Sequence, residues 1–329
     1  MQSRRKWLTT GLALLGAACQ TMAPGDPGNL VPKTVTEDAS LPAIEMNSAR
    51  FHLQTMGNPA APVIVFLHGG PGGDYRSMLR LSGLADDHYL VYWDQRGAGL
   101  SERVSKGELT LDQYIADLDT LIGRYGSGRP VTLVGVSWGG MYATAYINRH
   151  PDKVAGAVLI EPGPLTASDA NRLEDDIVDF NLGAEWLNDL VWSSQFVSPD
   201  DHARMDYTRM LGVRDAQPRF HLSRTDPEAG WRQGAAAAKY LMEDGQDGHG
   251  HYTYDFTDHL SAYPTPVLFV AGALSEVLGP SLQEKQKTEY PSATLSVVSG
   301  AGHDVAWVKS AEVVGLIRNY LAAREGGAR

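Results

Sequence analysis

The chain of 329 residues contains a single cysteine, Cys19. No intramolecular disulfide can form, and a catalytic thiol would have to sit near the N-terminus, away from the other chemistry-bearing residues. Basic residues are also scarce: 28 Lys and Arg stand against 39 Asp and Glu, a formal net charge of -11 with a pI near 5.3. No basic patch able to neutralise a phosphate backbone follows the N-terminus, which argues against nucleic acid as a partner. Long apolar runs are missing as well, since the stretch from Leu8 to Ala18 is too short for a permanent membrane span. Glycine is plentiful, at 35 residues, in an otherwise ordinary globular composition of 43% hydrophobic and 20% charged residues that can bury a sizeable core.

Residues 1–19 stand apart. Ser3-Arg4-Arg5-Lys6-Trp7-Leu8 is basic, a short run of small apolar residues follows, and the run ends at Cys19. That is the pattern of an export signal. The paired arginines followed by an aromatic residue and a leucine resemble a twin-arginine signal. Leu15-Gly16-Ala17-Ala18-Cys19 resembles a bacterial lipobox, in which the cysteine is lipidated, although Gly16 replaces a larger apolar residue. The expectation is an exported protein, either a cell-envelope lipoprotein anchored to the membrane through Cys19 or, with Cys19 incidental to a cleaved signal, a periplasmic one. Residues 20–43, rich in Pro, Gly, Asp and Thr, are expected to form a flexible tether.

Beyond the tether, short unbroken apolar runs alternate with segments of helical spacing. Strands are expected at Phe51 to Met56, Val63 to Leu67, Tyr89 to Trp93, Val131 to Val134, Val154 to Ile160, Val267 to Ala271 and Leu295 to Val298. Helices are expected at Leu111 to Tyr125, Met141 to His150, Leu282 to Tyr290 and Val305 to Ala323. Continuous apolar runs suit strands buried on both faces, and the alternation implies an α/β fold with a mostly parallel, doubly wound sheet. The alternation stops over residues 163–262, which turn helical and polar with Trp186, Trp192 and Trp231 at irregular intervals. This block is expected as a helical cap inserted into a core of residues 44–162 and 263–329. It holds eighteen acidic against eight basic residues, nearly all of the net charge. That charge either solubilises a helical surface or attracts a cationic substrate.

One stretch organises the chemistry. Gly135-Val136-Ser137-Trp138-Gly139-Gly140 falls between an apolar run and a helical segment, and glycines two residues either side of a serine fit a strained strand-turn-helix elbow that lifts the hydroxyl above the sheet. Open parallel sheets place their sites at the carboxyl ends of the strands. Ser137, Glu276 and His303 all follow such ends, in the chain order serine, acid, histidine of the α/β-hydrolase arrangement. A serine hydroxyl needs a base, and His303 is the only histidine after Glu276. For the acid, the usual aspartate position falls at Ser275, so the expectation shifts to Glu276, with Glu161 at the end of the preceding strand as the other candidate. The oxyanion would be held by the backbone N–H groups of Trp138 and Gly70. The ring of His68 is expected to fix the loop His68-Gly69-Gly70-Pro71-Gly72-Gly73. His249 and His251 lack a third ligand at metal spacing, so no metal and no cofactor is expected.

His68-Gly69-Gly70-Pro71-Gly72-Gly73, Trp93-Asp94-Gln95-Arg96-Gly97-Ala98-Gly99-Leu100-Ser101 and the Ser137 stretch together resemble the prolyl iminopeptidase family of α/β-hydrolases, over about residues 50 to 325. The resemblance implies an α/β-hydrolase fold and a serine aminopeptidase that releases N-terminal residues from small peptides or amides, with acidic groups near the cap holding the free amine. Glu161 is a candidate for that contact. Val136 departs from the glycine of many members, and the cap does not align residue by residue. A carboxylesterase or lactonase using the same triad is the alternative, and a non-catalytic binding lipoprotein a third.

Overall fold

The computed structural model describes residues 31–177, 201–214 and 218–327. The expected signal, Cys19, the first part of the tether, Trp186 and Trp192 lie outside the described residues. The chain begins with β1 (Ala43–Met46), β2 (Ala49–Met56), β3 (Val63–Leu67) and β4 (Tyr89–Trp93), followed by α1 (Leu111–Gly126), β5 (Val131–Val136), α2 (Trp138–Arg149) and β6 (Val154–Ile160). Next come α3 (Ala167–Ile177), α4 (Asp201–Arg214) and α5 (Ala235–Asp244). The chain then returns through β7 (Val267–Gly272), α6 (Pro280–Gln286), β8 (Ala293–Val298), α7 (Val305–Val308) and α8 (Ser310–Gly327).

The strands form one sheet in the order β1-β2-β4-β3-β5-β6-β7-β8. β1 with β2 and β2 with β4 are antiparallel, and all other pairs are parallel. The unbroken apolar runs have a direct cause. In β3, Val63, Val65 and Leu67 point into the layer that holds α1 and α2, while Ile64 and Phe66 point into the opposite layer with α8 and the 3-10 stretch Tyr75–Asp86. Both faces are covered, so both phases of the alternation must be apolar. Each fully buried Val, Leu, Ile or Phe contributes about 1.5–3 kcal/mol. α1 starts where Thr110 accepts a hydrogen bond from the N–H of Gln113 and stops where Ser127 turns left-handed at φ 52.

Two local expectations are corrected. Residues 31–42 are not a free tether: Val31 and Val35 are buried, the Val35 N–H donates to the Leu100 carbonyl, and Arg232 donates to the Pro32 carbonyl. Two valines are enough to dock this short segment. The last helix is also broken, with Lys309 separating α7 from α8.

The segment between β6 and β7 is fastened to the sheet by buried carboxylates. Asp206 on α4 is fully buried and accepts from Arg103, Arg232 and the Ala235 N–H at 3.0, 2.7 and 2.8 Å. Asp74 accepts from the N–H groups of Arg76, Trp231 and Arg232. Burial and the charge of Asp94 outweigh those donors and push the Asp74 carboxyl up to about 8.

Candidate active site

Ser137 sits immediately after β5 with φ 53 and ψ -119, a region that side-chain-bearing residues occupy at a cost of about 1–3 kcal/mol. The elbow is held by the Ser137 N–H donating to the Ile160 carbonyl at 3.0 Å. Its glycines are required by close approach: a Cβ on Gly135 would overlap the Gly139 carbonyl, and one on Gly139 would overlap the Leu67 carbonyl. Trp138 opens α2, so its N–H has no intrahelical acceptor.

His303 follows β8 and places Nδ1 2.6 Å from Glu161 Oε2. A carboxylate only accepts, so Nδ1 carries the proton and Nε2 is the ring nitrogen able to accept one. Glu161 directly follows β6, has φ 43 and is completely buried. Its second oxygen accepts from the Gly272 N–H at 2.6 Å, at the end of β7, which fixes the carboxylate between two strand ends. Burial alone lowers the His303 pKa. The hydrogen bond and charge of Glu161, joined by Glu228 and Asp304, exceed that effect and raise it overall.

The structure corrects the expected acid. Glu276 does not meet His303. Its carboxylate lies 2.9 Å from His221 Nε2 and 3.4 Å from Arg219 Nε, with 54% of the side chain exposed. Those two partners lower its pKa. The reason is the turn after β7: Ser275 is buried, and its successor points outward to solvent. Glu161, the other candidate, takes the contact.

The two glycine-bearing loops are wedged behind the serine. A Cβ built on Gly69 would lie 3.3 Å from that of Ser137. His68 is fully buried and accepts the Gln95 N–H on Nε2 at 3.0 Å, so its Nδ1–H donates to the Gly69 carbonyl at 2.9 Å. Burial lowers its pKa, which keeps it neutral. Gln95 joins both loops, donating to the His68 carbonyl and accepting from Trp138 Nε1, each at 3.0 Å. Asp94 accepts from Tyr75 N–H, Leu100 N–H and His52 Nδ1, and a Cβ on Gly99 would overlap its carboxylate. Arg96 donates twice to Asp117 at 2.6 and 2.8 Å. The Asp-Gln-Arg-Gly-x-Gly stretch is therefore scaffold.

Residues near His303 that sequence reasoning missed come from the loop after α4 and from its own neighbour. The His303 N–H donates to the Phe220 carbonyl, and the two rings lie 5.2 Å apart. Further along, Glu228 feels the charges of His303 and Asp304. Desolvation raises its pKa, Asp304 adds to that, and His303 and Ser77 oppose it. Its side chain keeps contact with solvent, so water relieves part of the penalty. Asp304 accepts from the Ser223 N–H on Oδ2, while its buried Oδ1 has no hydrogen-bond partner among the described residues. The acidity of the segment was the one signal available for Glu228. A groove of about 640 Å³ lined by Pro266, Thr294, Tyr320 and Arg324 lies at the opposite, amino ends of β7 and β8 and holds none of these groups.

Fold and site define the class. Residues 62–310 match the alpha/beta hydrolase fold family, and the chain belongs to it. It is a hydrolase. The chain is 26% identical over 289 residues to a proline iminopeptidase of Pestalotiopsis fici, covering 84% of this chain and 98% of the relative. It is 23% identical over 257 residues to a proline iminopeptidase of Thermoplasma volcanium, covering 74% and 83%. Among solved structures, the proline iminopeptidase of Mycobacterium smegmatis superposes with TM-score 0.61 at 17% identity, over 88% of this chain and 100% of that one. A putative lipase of Acinetobacter baumannii gives 0.65 at 13% identity, over 87% and 92%. At these identities the superpositions speak for the fold alone.

Proposed function

We propose that the protein is a serine aminopeptidase working through an acyl-enzyme, with Ser137 as nucleophile, His303 as base and Glu161 as the acid that orients it. Ser137 Oγ attacks the carbonyl carbon beside a free amine as His303 Nε2 takes its proton. The N–H groups of Gly70 and Trp138 hold the oxyanion. The C–N bond breaks as His303 returns the proton to the leaving amine. Water, deprotonated by the same ring, then attacks the ester and frees the acid and Ser137. Glu161 accepts the Nδ1 hydrogen bond and stabilises the imidazolium.

The observation that carries the amine preference is the pair of carboxylates whose charge reaches His303: Glu228, which is exposed, and Asp304, one oxygen of which has no partner among the described residues. An ammonium group on the substrate would supply the missing partner. The β6–β7 segment serves as the cap over this rim, and lipidation at Cys19 would place the enzyme at the cell envelope. Proline and alanine arylamides, their N-acetylated forms and short aryl esters, assayed with wild type and Ser137→Ala, test the assignment. Amide turnover should require the free amine and vanish with Ser137→Ala. Turnover confined to esters, or indifference to N-acetylation, would replace the aminopeptidase with an esterase on the same triad.

A further inference from the structure

Arg209 lies on α4, above the loop that carries Gly70. Its guanidinium donates to the Pro71 carbonyl at 3.1 Å, and its Nε is buried with no hydrogen-bond partner among the described residues. Among the described residues no carboxylate lies within ion-pair distance. Asp206, one turn earlier, is the charge that acts on it, but that carboxylate already accepts from Arg103, Arg232 and the Ala235 N–H. Burial accordingly depresses the pKa of Arg209, and Asp206 offsets this only in part. Arg103, Arg232 and Arg96 each hold a buried carboxylate within 3.0 Å. Arg209, half-buried with its Nε enclosed, is the exception among these arginines, and a partly desolvated cation without a carboxylate is costly to keep.

Its place gives the cation a use. Gly69 packs against Ser137, Gly70 is the proposed oxyanion donor, and Pro71 follows; two residues span at most about 7 Å. A charge on Pro71 is thus carried by the loop that packs against Ser137, within a few residue lengths of the scissile bond, on the scale of a small substrate's leaving residue and its carboxylate. We propose that Arg209 receives this carboxylate, so that the substrate class is the free dipeptide, held by its ammonium at Glu228 and Asp304 and by its carboxylate at Arg209.

This rests on the aminopeptidase assignment and deepens it. The test compares prolyl-alanine, prolyl-alanine amide and proline arylamide with wild type, Arg209→Gln and Arg209→Lys. Wild type should prefer the dipeptide over its amide, mainly through KM. Arg209→Gln should lower that preference ratio about 10- to 100-fold, and Arg209→Lys should restore part of it. Binding of the two dipeptides to Ser137→Ala and to Ser137→Ala/Arg209→Gln, measured calorimetrically, should show the same ratio and its loss without any turnover. No wild-type preference for the carboxylate, or an equal fall on all three substrates with Arg209→Gln, overturns the proposal and leaves Arg209 as a brace for the loop. Both outcomes leave wild-type arylamide turnover in place. Its absence would instead sink the aminopeptidase assignment, and the role of Arg209 with it.

Discussion

The turns that follow β6 and β7 each carry a glutamate on the carboxyl edge of the same sheet, and the two side chains have opposite fates. Glu161 is the residue next after β6, is completely buried, and is clamped by the Gly272 N–H and His303 Nδ1. Glu276 stands four residues past Gly272, in solvent, on Arg219 and His221. A charge locked between two strand ends in a dry junction acts on its neighbour at low effective dielectric, whereas an exposed pair is screened. Distance from the strand end separates the carboxylate that meets His303 from a surface ion pair.

The sharpest way to break this contrast is Glu161→Gln. It keeps the size of the side chain and can still accept from Gly272, but it removes the charge that stabilises the imidazolium. The kcat should fall on the order of 10³- to 10⁴-fold. The residual activity carries a second signature. Glu161 raises the His303 pKa against burial, so without it the pKa drops and the acidic limb of kcat/KM against pH should move to lower pH. Nearly full activity, or a limb that stays in place, would remove Glu161 from the role.

A buried polar junction without charge asks how much of the contrast is burial alone. Gln95→Ala leaves Trp138 Nε1 and the His68 carbonyl without their partner. Unfolding should become easier by about 1–3 kcal/mol in urea melts, with kcat/KM lower by about tenfold through the displaced oxyanion loop. Unchanged stability would mean that water replaces the amide at no cost.

Asp74 is a second buried carboxylate, with backbone donors but no histidine. Its folded-state pKa near 8 exceeds the ordinary value of 3.8, so the folded state binds the extra proton. The stability it contributes is full below about pH 4 and declines as pH rises toward 8. Asp74→Asn lacks this dependence. The gap in Tm between wild type and Asp74→Asn should therefore narrow by a few degrees from pH 5 to pH 8. A gap that stays constant over this range would show Asp74 to be ionised.

Much of the sheet was legible because strands buried on both faces write themselves as apolar runs, as at Val63–Leu67 and Val154–Ile160. The serine elbow was legible too, since Gly135 and Gly139 are demanded by carbonyls that leave no room for a Cβ. β1 was not, because Ala43–Met46 is half exposed and pairs only with β2. The acid was misplaced for a physical reason: sequence counts residues along the turn after β7, whereas the partner of His303 is chosen by which strand end faces it across the sheet. Glu228 escaped notice because its closeness to His303 arises from the loop after α4 folding back over the end of β8, a contact with no periodic trace, whereas Asp304 is simply the next residue in the chain.

The smallest expected effect is the most discriminating. Glu276→Gln removes a full charge close to the edge that carries Ser137 and His303, so a purely long-range view of the site would have it slow the enzyme. The side chain is exposed, however, and its field is spent on Arg219 and His221 and damped by water and salt. The kcat/KM should change by less than about twofold at moderate ionic strength, with the acidic limb unmoved. A low-salt measurement sharpens this. Any residual effect on a cationic substrate should grow as the Debye length lengthens and vanish again when salt is restored, as a remote charge requires. A hundredfold loss that salt does not relieve would mean that the turn after β7 swings inward during catalysis and that Glu276, not Glu161, faces the imidazolium when the bond breaks.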